Sequence, residues 1–315
     1  MNLTDPQRLR AFVLVLDLGS VSAAAAALGY TQSAVSQQVA ALEREVGAVL
    51  VDRSQRPLRP TRAGEALRPH AERVLAALAA AADAAEDVRG GVQRLRLAAF
   101  PSALSAFVPW AVRDLRRSQQ EVVIQVTQLE THEAIAALRA GTVDAAVVHH
   151  MPGVAVPDTA GLGRHELLDD DLFVVLPDGH RLARKGEVSL TELAGEPVGL
   201  PRRDTPAGRF RSVMEQLYAQ AGLEPRVVCE VDDLPAAQAF VAAGIAVGVM
   251  HGLTLATLPS GVTARPLAER PAGRRTVEAL APAGDTSPTV RALLAHLVAA
   301  ARARGSAVSP TAGTA

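Results

Sequence analysis

One cysteine, Cys229, stands in a chain of 315 residues. No disulfide can form within the chain, which fits a reducing compartment. Cys229 lies in the apolar strand pattern RVVCEV, where a buried, inert thiol is expected. Lysine is equally scarce: Lys185 stands alone among 32 basic residues, a bias of composition with no functional reading. The N-terminus has no basic segment followed by a clean apolar run. The stretch AFVLVLDLG (11–19) is short and interrupted by Asp17, so no signal peptide is expected. No apolar run approaches the roughly 20 residues that a membrane span needs. Cys-x-x-Cys and His-Glu-x-x-His spacings are missing, as are a nucleophile elbow and a phosphate loop. His149 and His150 could be imagined as metal ligands with His132 or His251. Neighbours on a strand point to opposite faces, however, so the pair is poorly placed to share an ion. These absences leave a soluble cytoplasmic chain with no membrane partner, no cofactor, no metal and no enzymatic constellation.

What is present is 49% hydrophobic, with a net charge of -1, and suits two or three globular domains. Asp5 and Pro6, after Thr4, mark a helix start. Leu9, Phe12, Val13 and Leu16 then form one apolar face. Gly19-Ser20 ends that helix and caps a short alanine helix that stops at Gly29. Thr31 caps a third helix, whose buried stripe is Val35, Val39, Leu42 and Val46. On its other edge lie Gln32, Ser33, Ser36 and Gln37, polar but uncharged. A short helix, a tight turn and a longer helix with a polar N-terminal edge is the helix-turn-helix arrangement. Gln can pair two-pronged with adenine, and Ser can bond several base edges. Arg53, Arg56, Arg59 and Arg62 follow at once, in a segment that Pro57 and Pro60 keep out of a helix. It is expected to form a wing whose arginines hold phosphates while the neutral edge, with Thr31, reads bases.

The run LRAFVLVLDLGSVSAAAAALGYTQSAVSQQVAALEREVGAVLVDR resembles the N-terminal winged helix-turn-helix of LysR-type transcriptional regulators. The resemblance is carried by Ser20, Ala24-Ala25, Leu28, Gln32 to Ser36, Leu42-Glu43, Gly47, Leu50 and Arg53. That family usually has Phe where Val51 stands, and often Phe at Val21. Both departures fall in the small core and spare the reading edge.

Residues 62–89 continue as one helix of about 40 Å at 1.5 Å per residue. Leu67, Ala71, Val74, Leu78, Ala81, Ala85 and Val88 alternate steps of four and three, an a/d seam. The resemblance implies a linker helix paired with that of a second subunit, giving a dimer or tetramer on an imperfect inverted repeat of double-stranded DNA. RNA polymerase is a further candidate partner. Gly90-Gly91 form a hinge.

From Arg94 strands and helices alternate. The first series reads βαβαβ, which implies a parallel sheet with helices on both faces, and a second series follows. Two α/β lobes put a cleft at the carboxyl ends of strands. The resemblance implies an effector domain similar to periplasmic solute-binding proteins. By strand-end position Ser102, Thr131, His149, Arg202 and Thr205 face the cleft. Helix N-termini and the Arg202-Arg203 pair suggest a carboxylate effector. The acidic run RHELLDDD reads as a turn before a strand.

The expected layout is multidomain: an all-α winged helix-turn-helix over 1–61, a linker helix and hinge over 62–91, a two-lobed α/β effector-binding domain over 92–303, and a disordered tail over 304–315. The function expected is sequence-specific promoter binding modulated by a small molecule between the lobes. The alternative is a cytoplasmic solute-binding module without a DNA role, which leaves the wing and the reading edge unexplained.

Overall fold

The computed structural model describes residues 5–90, 93–155, 157–205, 208–284 and 287–305. The chain divides into two units, one of residues 1–92 with 139–142 and one of the rest.

The first unit opens with α1 (Pro6–Asp17), α2 (Val21–Leu28) and α3 (Gln32–Val46). Each is capped by a side chain that accepts from a backbone N–H of the first turn: Asp5 from Gln7, Ser20 from Ala23 and Thr31 from Ala34. Thr4 lies outside the described residues. α2 and α3 end on Gly29 and Gly47 in left-handed backbone, where a side chain would be strained. Leu9, Phe12, Val15, Ala24, Val35 and Leu42 meet in one core. The alanines at 24 and 25 are fully buried, because only a methyl group fits where α2 crosses its neighbours. A two-stranded wing follows, β1 (Val51–Asp52) antiparallel to β2 (Arg59–Pro60).

α4 (Arg62–Gly90) then runs for 29 residues. Its first turn passes so close to the wing that a Cβ on Gly64 would lie 2.1 Å from the Leu50 carbonyl oxygen. The apolar row on α4 is divided in use. Ala71 is buried in the core of this unit, and Leu67 packs against it. Val74 and Leu78 are 46% and 47% exposed, and Ala81 and Ala85 are exposed too. The side chain of Val88, and Gly91, lie outside the described residues, as does the tail beyond Gly305.

The second unit is built from two lobes. The first has β3 (Gln93–Ala99), α5 (Pro101–Ala106), α6 (Val108–Ser118), β4 (Val122–Gln128), α7 (Thr131–Ala140), β5 (Ala145–His150) and β6 (Leu162–Asp170). The chain then crosses to the second lobe through β7 (Leu172–Pro177), β8 (Pro197–Leu200), α8 (Gly208–Gln220), β9 (Arg226–Glu230), α9 (Leu234–Ala242), β10 (Gly248–His251), β11 (Val262–Pro266) and α10 (Arg270–Gly273). It returns through β12 (Arg275–Pro282) and closes with α11 (Pro288–Gly305) on the first lobe.

The five-stranded sheet has the order β4-β3-β5-β12-β6. β3 is parallel to β4 and β5, as the βαβαβ pattern implies, but β12 is antiparallel to both β5 and β6. The sheet is therefore mixed. The acidic run read as a turn forms the end of strand β6, and β12, for which no strand was expected, pairs with it. The helical stretch after β3 is broken at Phe107 into α5 and α6. Alternate residues of the central strands feed opposite faces. Leu97, Ala99 and Val147 meet α6 and α11 residues on one side. Ala98, Ala146 and Val148 meet Ile135 and Leu138 of α7 on the other. In the second lobe β7 lies between antiparallel β10 and β11, and β8 pairs parallel with β9. Among the described residues no helix is long and apolar enough to cross a membrane.

Candidate functional site

Two places carry the chemistry expected from the sequence. On the first unit Thr31, Gln32, Ser33 and Gln37 are exposed, and Ser36 is half-buried. Val35, Val39 and Leu42 on the opposite side are 0–2% exposed, so the burial of α3 fixes which edge is presented. The Thr31 hydroxyl accepts from Ala34 N at 3.2 Å and shares a hydrogen bond of 2.9 Å with Ser33 Oγ. That leaves the amides of Gln32 and Gln37 as the freest groups on the edge.

Arg53, Arg56, Arg59 and Arg62 are all exposed. Arg53 is tied to Glu43 at 3.3 Å. Glu43 also accepts from the backbone N–H groups of Leu50 and Val51, at 2.9 and 3.2 Å, which fastens the start of the wing to α3. Arg56, Arg59 and Arg62 make no ion pair among the described residues. Ser36 shares a small hollow of about 140 Å³ with Arg53 and Arg56.

The second place is a cavity of about 510 Å³ in the larger unit, within the range of small-molecule sites. Ser102, Thr131, His149 and Thr205 line it. Arg202 does not: it is exposed, its guanidinium bonds Asp204 at 3.0 Å and its N–H donates to Asp232. The strand end expected to aim it inward instead ties it to Asp204 of its own loop and to Asp232 beyond β9.

The sequence reading missed the group at the centre, Arg275. It is 6% exposed and stands at the first residue of β12. Its Nε and Nη2 reach Asp170 Oδ2 at 2.8 and 2.7 Å, and Nη2 donates to Ser102 Oγ at 2.7 Å. Its guanidinium lies 4.9 Å from the Phe100 ring centre. His149 meets the same ring edge-on at 4.8 Å. Thr131 Oγ1 donates to the carbonyl of His149 and accepts from its N–H, at 3.2 and 3.1 Å, so the hydroxyl serves to fasten the end of β5. Glu130 and His251 also line the wall; nothing in the sequence points to Glu130, and it marks His251 only as a candidate metal ligand.

Burial sets the protonation states here. It pushes His149 and His251 well below the ordinary 6.5, and the charge of Arg275 adds to that direction. Burial raises Glu130, against the opposing pull of Arg275. Asp170 is raised by burial, with Arg275 and the Leu253 N–H working the other way.

A winged helix-turn-helix on one unit and a two-lobed α/β cavity on another are the two parts from which ligand-responsive DNA-binding proteins are built. Residues 6–65 match the bacterial regulatory helix-turn-helix protein of the lysR family, and residues 89–302 match the LysR substrate binding domain. The chain belongs to the LysR family of bacterial transcriptional regulators. It is 37% identical over 195 residues to the probable hydrogen peroxide-inducible genes activator of Mycobacterium avium, an alignment that spans 60% of each chain. It is 33% identical over 258 residues to the HTH-type transcriptional regulator ShiR of Corynebacterium glutamicum (strain R), over 81% of this chain and 85% of that one. Full-length CbnR complexed with its target DNA shares the fold, with a TM-score of 0.68 at 22% identity over 94% of this chain and 100% of that one.

Proposed function

We propose that this protein is a cytoplasmic homo-oligomeric switch that binds a promoter through α3 and the wing, and responds to a small molecule held in the cavity of the larger unit. It carries out no catalytic step. The observation that carries the reading is the division of labour on the first unit: a neutral amide and hydroxyl edge beside three arginines that make no ion pair among the described residues. Gln32, Ser33, Ser36 and Gln37 read base edges, and Arg56, Arg59 and Arg62 hold phosphates. Arg53 shapes the wing through Glu43. A ligand changes promoter occupancy only by binding one arrangement of the protein more tightly than another.

The name of the Mycobacterium avium relative ties it to hydrogen peroxide. A thiol response in this chain would have to run through Cys229 alone. That thiol is half-buried, and burial raises its pKa, the opposite of what a reactive thiolate needs. The reading therefore favours non-covalent ligand binding.

Footprinting on the DNA upstream of the protein's own gene, across a salt series, tests the reading. A protected inverted repeat is expected, and Arg59→Ala should reduce the salt slope by about one. Gln37→Ala should weaken protection of the repeat while leaving weak, salt-sensitive binding. Genome-wide selection that finds no preferred sequence would overturn the proposal.

A further inference from the structure

We infer that the cavity of the larger unit selects an uncharged ring-bearing molecule with hydrogen-bond donors, and discriminates against a carboxylate of the same shape. This rests on the reading of the cavity as the effector site, and it departs from the carboxylate that the sequence suggested.

The cation a carboxylate would seek is already matched. Arg275 Nε donates to Asp170 Oδ2 at 2.8 Å, and Nη2 lies 2.7 Å from the same oxygen while donating to Ser102 Oγ at 2.7 Å. An anion added there would face Asp170 in a poorly solvated place, where unmatched charge is strongly disfavoured. The other lining charges lean the same way. Glu130, Glu133, Asp204 and Asp232 line the cavity against Arg209. Adding Arg202, which is held on Asp204, does not reverse the excess of carboxylates.

His149 and His251 supply no compensating charge. His149 Nδ1 has neither a hydrogen-bond partner nor solvent, so an imidazolium would bury an unmatched proton near the Arg275 guanidinium. His251 is fully enclosed, its ring tilted against Phe210 at 5.0 Å and its Nε2 3.1 Å from the Gly273 carbonyl oxygen. The Thr131 hydroxyl is engaged with the backbone of His149. Ser102 Oγ accepts from Arg275, and of the Arg202-Arg203 pair Arg202 is held on Asp204 and does not line the cavity.

Besides Arg209, the rest of the lining is mostly apolar wall and carboxylate acceptors. Phe100, Phe210, Met151, Met250, Leu200 and Val249 line the cavity; they suit a ring stacked or met edge-on. The carboxylates of Glu130 and Asp232 accept hydrogen bonds, which a hydroxyl or amide N–H can supply. A full cation would be drawn by the same carboxylates, but it would be desolvated against that apolar wall with Arg275 nearby.

Three probes of one shape test this on the full-length protein by isothermal titration at neutral pH: benzyl alcohol, benzoate and benzylammonium. Benzyl alcohol is expected to bind at least about tenfold more tightly than either ion. Benzoate binding as tightly or more tightly overturns the inference, as does benzylammonium binding tightest. Failure of all three to bind at about ten millimolar also overturns it, because a cavity of this kind should hold a ring at that level. Asp170→Asn keeps the shape and removes the buried negative charge. It should raise benzoate affinity relative to benzyl alcohol by about tenfold, and an unchanged ratio counts against the charge argument. Footprinting without ligand separates the two readings. An intact footprint with benzoate preferred sinks the inference alone. Selectivity for benzyl alcohol with no sequence-specific footprint sinks the regulator reading alone.

Discussion

Replacing Arg275 by Met should destabilise the larger unit by about 3–5 kcal/mol, because it strands a buried carboxylate. Asp170 is 3% exposed, and apart from Arg275 it accepts from Leu253 N at 3.0 Å. Met fills much of the volume, so the loss comes from the unmatched charge rather than from a cavity. Trp110, the chain's single tryptophan, packs on the core of this unit under the guanidinium of Arg304 at 3.6 Å. Its fluorescence therefore follows the unfolding of this unit in the full-length chain. With an m-value near 3 kcal/mol/M, the urea midpoint should fall by about 1–1.7 M. Adding Asp170→Leu to Arg275→Met removes the stranded charge and should recover most of that loss. The pH dependence carries its own sign. The folded pKa of Asp170 is already above its ordinary 3.8, and losing Arg275 raises it further. The native state then binds more protons than the unfolded chain, so the deficit of the single variant should shrink as the pH falls toward that raised value. A single variant with a wild-type midpoint, or a double variant no better than the single, would refute the reasoning.

Three further outcomes are expected. Gly64→Ala puts a Cβ 2.1 Å from the Leu50 carbonyl oxygen, so the wing and α4 must separate. DNA protection should be lost while the Trp110 transition stays in place, and an intact footprint would show that the first unit absorbs the overlap. His149 and His251 are both pushed well below 6.5 in the folded state, so their contribution to stability is complete above 6.5 and is lost on acidification. Each ring should give a slope of about 1.4 kcal/mol per pH unit below 6.5, and His149→Phe should remove one such slope when compared with wild type by urea titration. On α4, Leu78→Asp should lower the oligomer mass seen by light scattering with the first unit still folded. Leu67→Asp should instead unfold that unit, since Leu67 packs on its core; equal effects of the two would contradict the division of the helix.

The sequence made the first unit readable because its signals are local. Caps at Ser20 and Thr31, glycines at 29 and 47 and the spacing of Val35, Val39 and Leu42 each act within a few residues. The cavity depends on pairings far apart in the chain. Asp170 and Arg275 are 105 residues apart, and antiparallel β12 brings them together. An acidic run such as Asp169 to Asp171 looks the same whether it ends a buried strand or forms a turn, until the partner strand is known. The seam on α4 shows a subtler limit. Periodicity marks Leu67 and Val74 alike as apolar positions, but what covers each depends on whether α1 to α3 reach that turn of the helix.

The connection between the lobes gives the buried pair its significance. The chain leaves the first lobe at Asp170–Leu172 and returns at Gly273–Arg275, and Arg275 lies directly opposite Asp170 in the pairing of β12 with β6. Next to that pair Arg274 Nε donates to Asp171 at 2.6 Å, and Gly252 N donates to the Asp171 carbonyl. Both crossovers are thus fastened side by side, and Arg275 extends from them to Ser102 at the head of α5. A ligand that touched Arg275 alone would act at the pivot, where opening and closing change its contacts least. Thr131 and His149 belong to the first lobe, while Thr205, Phe210 and Met250 belong to the second. A ligand spanning from the first set to the second would lose contacts whenever the walls part. Differential affinity for two arrangements, the quantity that drives a switch, therefore grows with reach across the cavity rather than with the strength of any bond at its charged base.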